Sequence, residues 1–262
     1  MSKLMLGFHP FHMVSHSPWP LVGSLSILSL SASIIAFLIG GSKVLLVSSV
    51  SVTSFTACLW WRDVIREATG MGSHGERVVS GLQFGMLLFI LSEIMFFFSL
   101  FFGWFFITLS PDPAIGCCVP PSGVQPLSFM SVPLLNTMIL LSSGASVTWS
   151  HHAIIEGKGG ALPLLVTCLL GCLFLGFQVV EYYEIPFTIS DSVFGSLFFI
   201  ATGFHGLHVL VGTCFLTVNL WRILKGHFSP VHHLGFEASA WYWHFVDVVW
   251  LFLFISIYWW GS

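Results

Sequence analysis

The chain has 262 residues, of which 56% are hydrophobic and only 7% are Asp, Glu, Lys or Arg; its mean hydropathy is +0.93. Soluble globular chains carry about 25% charged residues, so an ordinary soluble domain is excluded, as is disorder, which needs low hydrophobicity and high charge. A net charge of −3 with eight Lys and Arg also argues against a nucleic-acid partner. The composition predicts an all-α, polytopic membrane protein.

The charged residues punctuate the chain. None occurs in 4–42, 44–61, 113–155, 159–180 or 192–221, and the stretches 78–109 and 238–262 hold one each, Glu93 and Asp247. A helix needs about 20 apolar residues to cross about 30 Å of hydrocarbon. Seven spans are therefore expected, near 18–38, 43–66, 77–109, 129–151, 160–183, 191–222 and 234–258. At 1.5 Å per residue the third and sixth would be about 50 Å long, so they tilt or project beyond the bilayer. The second is rich in hydroxyls (Ser48, Ser49, Ser51, Thr53, Ser54, Thr56), which can bond back to their own helix or across to a neighbour. A transmembrane barrel needs short alternating segments, and these runs do not alternate. The connection 110–128, with Pro111, Pro113, Pro120, Pro121 and Pro126, reads as an ordered, rigid cap.

Basic residues set orientation. With seven spans, Lys3, Arg62, Arg66, Arg77, Lys158, Arg222 and Lys225 share the N-terminal side, and Lys43 alone lies opposite. This predicts the N-terminus inside and the C-terminus outside, although omitting the second span and flipping the N-terminus gives the same ratio. Both arrangements put the loops near 67–76, 152–159 and 223–233 on one face. Trp60–Trp61, Tyr182–Tyr183 and Tyr258–Trp259–Trp260 mark span edges, where amphipathic rings sit at headgroup level. The first 20 residues show no Arg-rich amphipathic targeting segment, so an organelle-resident copy is expected to be made in the organelle. The six cysteines do not form a disulfide framework: Cys58, Cys168, Cys172 and Cys214 lie inside spans, and Cys117 and Cys118 are adjacent.

Intramembrane polar groups are the first place to seek chemistry, because an unpaired one costs several kcal/mol. Glu93, deep in the third span, reads either as a proton-linked or gating carboxylate, or as a neutral acid bonded to a neighbouring helix. His244 and Asp247 are three apart on one helix face and can pair locally. His205 and His208 share a face at ligand-like spacing, but His151–His152 and His232–His233 lie at a different depth. A haem site, which wants facing histidines at matched depth, is therefore disfavoured. Structural hydrogen bonds are expected for these histidines, with Glu156 and Glu237 as nearby partners at the inner edge. The cluster Trp60-Trp61-Arg62-Asp63-Val64-Ile65-Arg66-Glu67, with Arg222, Lys225 and His227 further on, reads as lipid-phosphate sites or as snorkelling helix ends. There is no Walker motif, dinucleotide loop or nucleophile elbow.

Specific motifs then carry a resemblance. They are Ser17-Pro18-Trp19-Pro20, Trp60 through Glu67, Ser92-Glu93, and Val132-Pro133-Leu134-Leu135-Asn136-Thr137. Further on come Glu181-Tyr182-Tyr183-Glu184, Pro186 through Asp191, Ala201 through His208, and Gly235-Phe236-Glu237 to Trp259-Trp260. Over essentially the whole chain the sequence resembles the subunit III family of mitochondrial cytochrome c oxidase. The resemblance implies seven helices in two groups, residues 1–70 with helices one and two, and residues 71–262 with helices three to seven, separated by a lipid-filled cleft. It implies a non-redox core subunit with no metal or other cofactor of its own, haem a and copper being held by subunits I and II. The implied partners are subunit I, subunit II, accessory subunits and phospholipids such as phosphatidylglycerol, phosphatidylethanolamine or cardiolipin, in the mitochondrial inner membrane. It makes Glu93 an oxygen- or proton-linked carboxylate and Trp61, Arg66, Glu67, His74 and Arg222 lipid contacts, with Lys225 and His227 as further candidates. Residues 1–14, 38–58 and the weakly basic 156–160 depart from the family pattern. A quinol-oxidase subunit III and a stand-alone proton or solute channel remain the alternatives.

Overall fold

Glycine and proline set the boundaries of the elements. In the computed structural model, which describes residues 10–111, 113 and 116–261, seven helices are long and apolar enough to cross a membrane, and the described residues contain no strand. They are α1 (Trp19–Leu38), α2 (Lys43–Thr69), α3 (Glu76–Leu109), α4 (Val132–Ile155), α5 (Ala161–Glu184), α6 (Ser192–Leu224) and α7 (Leu234–Leu253). Lys3 lies outside the described residues. α1 carries Pro in its first turn, and Ser42 caps α2 by accepting from the Val44 N–H at 3.2 Å, so each start has one orphan donor fewer.

Three boundaries differ from the sequence expectation by three or more residues: α2 runs on to Thr69 rather than 66, and the fourth helix moves at both ends. The fourth helix begins at Val132 rather than near 129, because Pro133 suits the first turn, where its missing N–H costs nothing. It runs on to Ile155, keeping His151 and His152 helical, and the turn falls at the glycines beyond. Gly160 has φ +79°, and a Cβ there would lie 2.7 Å from the Ser150 carbonyl oxygen, so only glycine fits. α7 continues past Leu253 as a π-helical turn, Phe254–Trp259. The wider turn leaves the Ser256 carbonyl to accept from the Trp104 indole at 2.9 Å.

The chain divides into two compact units, one ending at Leu82 and one starting at Gln83. In the first, α1 and α2 are joined through small polar residues. The Ser33 and Ser49 hydroxyls meet at 2.5 Å, and Thr53 Oγ1 donates to the Ser26 carbonyl at 3.2 Å. Lipid tails are as apolar as Leu, so close backbone approach and interhelical hydrogen bonds, rather than a hydrophobic drive, hold such a pair.

The second unit is centred on α7. Trp243 and Trp250 are fully buried in the same core cluster as Phe174, Leu164 and Leu216, and Phe174 meets Trp250 edge-on at 4.8 Å. The helices approach Trp243 closely: a Cβ on Gly171 of α5 would fall 2.8 Å from its ring, and one on Gly212 of α6 would fall 2.9 Å away. Trp243 donates to Ser143 Oγ and Trp250 to Thr137 Oγ1, each at 2.9 Å, so both buried indoles are satisfied.

Candidate functional site

Glu93 lies on α3 and His208 on α6. His208 Nε2 is 2.9 Å from Glu93 Oε2, and His208 Nδ1 is 2.6 Å from the Phe204 carbonyl oxygen. A carbonyl only accepts, so Nδ1 carries a proton and donates it. Nε2 faces the carboxyl oxygen, and a proton held between them, on nitrogen or on oxygen, would leave the pair with no net charge, the condition under which ionisable groups persist in hydrocarbon. Phe97 meets the His208 ring edge-on at 5.0 Å and Tyr242 stacks at 6.3 Å. The Glu93 and His208 side chains remain 22% and 12% exposed, so the pair sits on the flank of the bundle, not sealed in its core.

His205, three residues earlier on α6, turns elsewhere. Its Nε2 donates to the Val246 carbonyl at 3.2 Å, and its ring packs against Trp250 at 5.1 Å. The two histidines that share a face in the sequence thus serve different neighbours, α7 and α3. The expected His244–Asp247 pair is loose: Nδ1 and Oδ2 are 3.9 Å apart, beyond hydrogen-bond reach. Asp247 is buried and its Oδ2 lies where α4 carries Gly144. His244 is half-exposed, with Thr148 Oγ1 at 3.5 Å.

Glu181 lies near the end of the fifth span, where the sequence suggests solvent exposure. It is fully buried in the last turn of α5, where Oε1 accepts from the Tyr258 hydroxyl and from Gln178 Nε2. The Gln178–Glu181 spacing on one helix face was the available signal.

The lipid candidates fall in both units. At the end of α2, Trp61 and the Arg66 side chain are 65% exposed, while Asp63 accepts from the Trp19 indole at 2.7 Å and pairs with Arg62 at 3.1 Å. Glu67 lies 4.0 Å from His12, whose ring is 5.7 Å from that of His74. In the second unit Lys225 is exposed and the Trp221 ring meets His227 at 5.4 Å. Arg222 is drawn inward: its guanidinium sits over the Phe228 ring at 4.3 Å and abuts Gly235 at the start of α7. A helix-end Arg here gains a cation–π contact instead of reaching fully into solvent.

At the end of the bundle formed by the α4–α5 and α6–α7 connections, His233 Nε2 is 3.2 Å from Glu237 Oε1, as expected. Glu156, the other acid expected to partner a histidine here, pairs elsewhere. Adjacent residues on a helix diverge by about 100°; His151 points inward and His152 outward, and Glu156 instead takes Lys158 at 2.6 Å. The Lys158 ammonium holds the Glu156 carboxyl below the usual range, and Glu156 raises Lys158 in return.

A family model described as "Cytochrome c oxidase subunit III" matches residues 9–262. The chain is 53% identical over 256 residues to "Cytochrome c oxidase subunit 3" of Eudorcas rufifrons, covering 97% of this chain and 98% of that protein. It is 52% identical, over the same length and coverage, to "Cytochrome c oxidase subunit 3" of Aepyceros melampus.

Proposed function

The chain belongs to the cytochrome c oxidase subunit III family, and from that premise we propose how it serves the oxidase. It is a multi-pass membrane subunit of the complex that reduces oxygen to water with electrons from cytochrome c and pumps protons. Within that complex it acts as a non-redox core subunit. It packs against subunit I, with subunit II and accessory subunits as further partners, and leaves haem a and copper to those partners. The commitment of His205 to Val246 and of His208 to Glu93 supports this reading, since neither imidazole is offered to a shared ligand.

The observation that carries the functional reading is the Glu93–His208 pair. It is a hydrogen-bonded acid–imidazole pair on the flank of the bundle, suited to a lateral role in oxygen or proton access and not to bond-making chemistry. Exposed Trp61, Arg66 and Lys225, with Glu67, His74 and the more enclosed Arg222 and His227, support anchoring of anionic or zwitterionic phospholipid headgroups such as phosphatidylglycerol, phosphatidylethanolamine or cardiolipin. Membership of the family supports a mitochondrial inner-membrane placement, and the seven-to-one distribution of basic residues supports the N-terminus on the matrix side and the C-terminus on the intermembrane-space side.

The test is Glu93→Gln in the purified complex. The haem absorbance stays unchanged, while the KM for oxygen or the rate of proton uptake shifts. Loss of the haem signal overturns the non-redox reading, and unchanged oxygen and proton kinetics overturn the access role. A quinol-oxidase subunit III is distinguished by the electron donor, which other subunits bind. A stand-alone channel would purify as a colourless homo-oligomer, whereas an oxidase subunit co-purifies with haem a absorbance.

A further inference from the structure

Away from the Glu93–His208 pair, three potential metal ligands converge where α4 ends and α7 begins: His151, His233 and Glu237, with one ligand atom from each all within 4.8 Å of one another. We infer that these residues form a binding site for a divalent transition-metal ion of the zinc class, bridging α4 to α7.

The hydrogen bonds around the cluster single it out. His233 Nδ1 lies 3.1 Å from the Ser229 carbonyl oxygen, which only accepts, so Nδ1 is the protonated nitrogen. In the neutral ring Nε2 then presents a lone pair, and it presents it to a carboxylate oxygen, Glu237 Oε1, at 3.2 Å. Two lone pairs facing each other repel, so a positive charge belongs between them, and a proton or a metal ion can supply it. The other carboxylate oxygen, Oε2, is held by Gln83 Nε2 at 3.2 Å. A histidine fixed through its far nitrogen by a backbone carbonyl, and a carboxylate fixed through its far oxygen by an amide, is the outer-shell pattern that orients ligands toward a metal.

His151 supplies the independent observation. Its Nε2 is shielded from solvent and has no hydrogen-bond partner. The ring lies 5.5 Å from that of His233 and 5.6 Å from that of Phe236. An orphaned ring nitrogen in a shielded site is destabilising, and an ion at the centre of the cluster would satisfy it.

The spacing suits a small ion. Bonds of about 2.0–2.2 Å in tetrahedral geometry put ligand atoms roughly 3.3–3.5 Å apart. The His233–Glu237 distance is already at that edge, so a modest turn of the His151 ring completes three sides. Two imidazoles and one carboxylate form a mixed nitrogen–oxygen set, which favours zinc over calcium or magnesium, ions that want all-oxygen ligands. The fourth position is left to water. The flanking residues Gly157, Ser229 and Pro230 belong to the two connections, and the Pro230 ring lies 4.0 Å from where a Cβ on Gly157 would be, so the ion would tie the two helices just beneath this contact.

The decisive experiment uses crystals of the intact complex soaked in zinc chloride and measured on either side of the zinc absorption edge. An anomalous difference peak within bonding distance of His151 Nε2, His233 Nε2 and Glu237 Oε1 is expected. Absence of a peak here at saturating zinc, with zinc visible elsewhere in the complex, overturns the proposal. Equilibrium titration of the purified complex with zinc chloride provides the second arm. Glu237→Gln, which preserves side-chain length, should weaken the corresponding site at least tenfold, with haem absorbance confirming assembly. Undiminished occupancy in Glu237→Gln overturns the assignment, and the wild-type anomalous measurement decides the matter if the variant does not assemble.

Discussion

The α1–α2 pair and the helices around α7 solve the same problem by different means. In the most apolar window of α1, and likewise of α2, 11% of the residues are buried; in α7 the share is 61%. The first pair relies on hydroxyl rungs, Ser33 to Ser49 and Thr53 to the Ser26 carbonyl. The second unit relies on indoles locked by hydrogen bonds and enclosed by glycines. Because apolar burial gains little when the alternative solvent is lipid, tight aromatic packing must supply dispersion and satisfied N–H groups to be worth its ordering. A helix pair with so little enclosed surface keeps only its few directional bonds. Its broad apolar exterior (Leu25, Ile27, Leu28, Val47, Val52, Phe55) is what a lipid- or subunit-facing element presents.

The largest expected effect tests the aromatic side of that contrast. Trp243→Ala leaves a cavity between α5, α6 and α7 and should cost about 3–5 kcal/mol, read as a lowered Tm or loss of the assembled complex. Ser143 keeps its own donation to the Leu140 carbonyl, so the loss is one of packing more than of an orphaned group. A Trp243→Ala variant no less stable than a serine-rung variant in the α1–α2 pair would break the comparison.

The next effect lies at Glu93. His208→Phe preserves ring packing against Phe97 but removes the nitrogen that faces the Glu93 carboxyl. Leaving that partly enclosed carboxyl unpaired should cost roughly 1–3 kcal/mol, and adding Glu93→Leu should restore part of it. A double-mutant cycle on thermal stability measures the coupling; additive effects would show that the two side chains do not act as a unit.

The rungs of α1–α2 come third. Ser33→Ala should cost about 0.6 kcal/mol, the mean for an interhelical side-chain bond in a membrane, and Ser33→Ala with Ser49→Ala should cost little more than either alone. Guided by the same geometry, Ser33→Leu should be worse than either, since it forces the backbones apart. Differential scanning of the purified complex ranks the three.

These rankings also show what the sequence could and could not reveal. Gaps between charges place all seven spans because hydrocarbon thickness fixes their length, and the hydroxyl-rich second span forms helix with the back-bonds its residues suggest. Pairings between distant residues left no such trace. Glu93 and His208 lie 115 positions apart, and α3 is apolar on every face, so no periodicity points its carboxylate toward α6. Glu181 escaped because position near a span end looks like solvent exposure, while Tyr258, which buries it, arrives from the far end of the chain. The His151 and His152 assignments depended on where α4 stops, which the glycines after Ile155 decide.

The smallest effect belongs to neither packing regime. Glu156 and Lys158 are bonded at 2.6 Å, but their side chains are 55% and 74% exposed. The carboxyl is lowered, first by the Lys158 hydrogen bond, so its contribution is present above its unfolded value and fades as pH falls through the lower folded one. Lys158 is raised by the same bond, so its contribution is present below its unfolded value and is lost as pH rises through the higher folded one. The pair is therefore complete across neutral pH. Even there, water and salt screen it, and holding two long side chains together costs entropy. Glu156→Gln should leave the Tm of the complex unchanged at about 0.15 M ionic strength. A drop as large as that of Ser33→Ala would mean that an exposed ion pair rivals an interhelical rung, and the distinction between directional bonds inside the membrane and charges outside it would have to be redrawn.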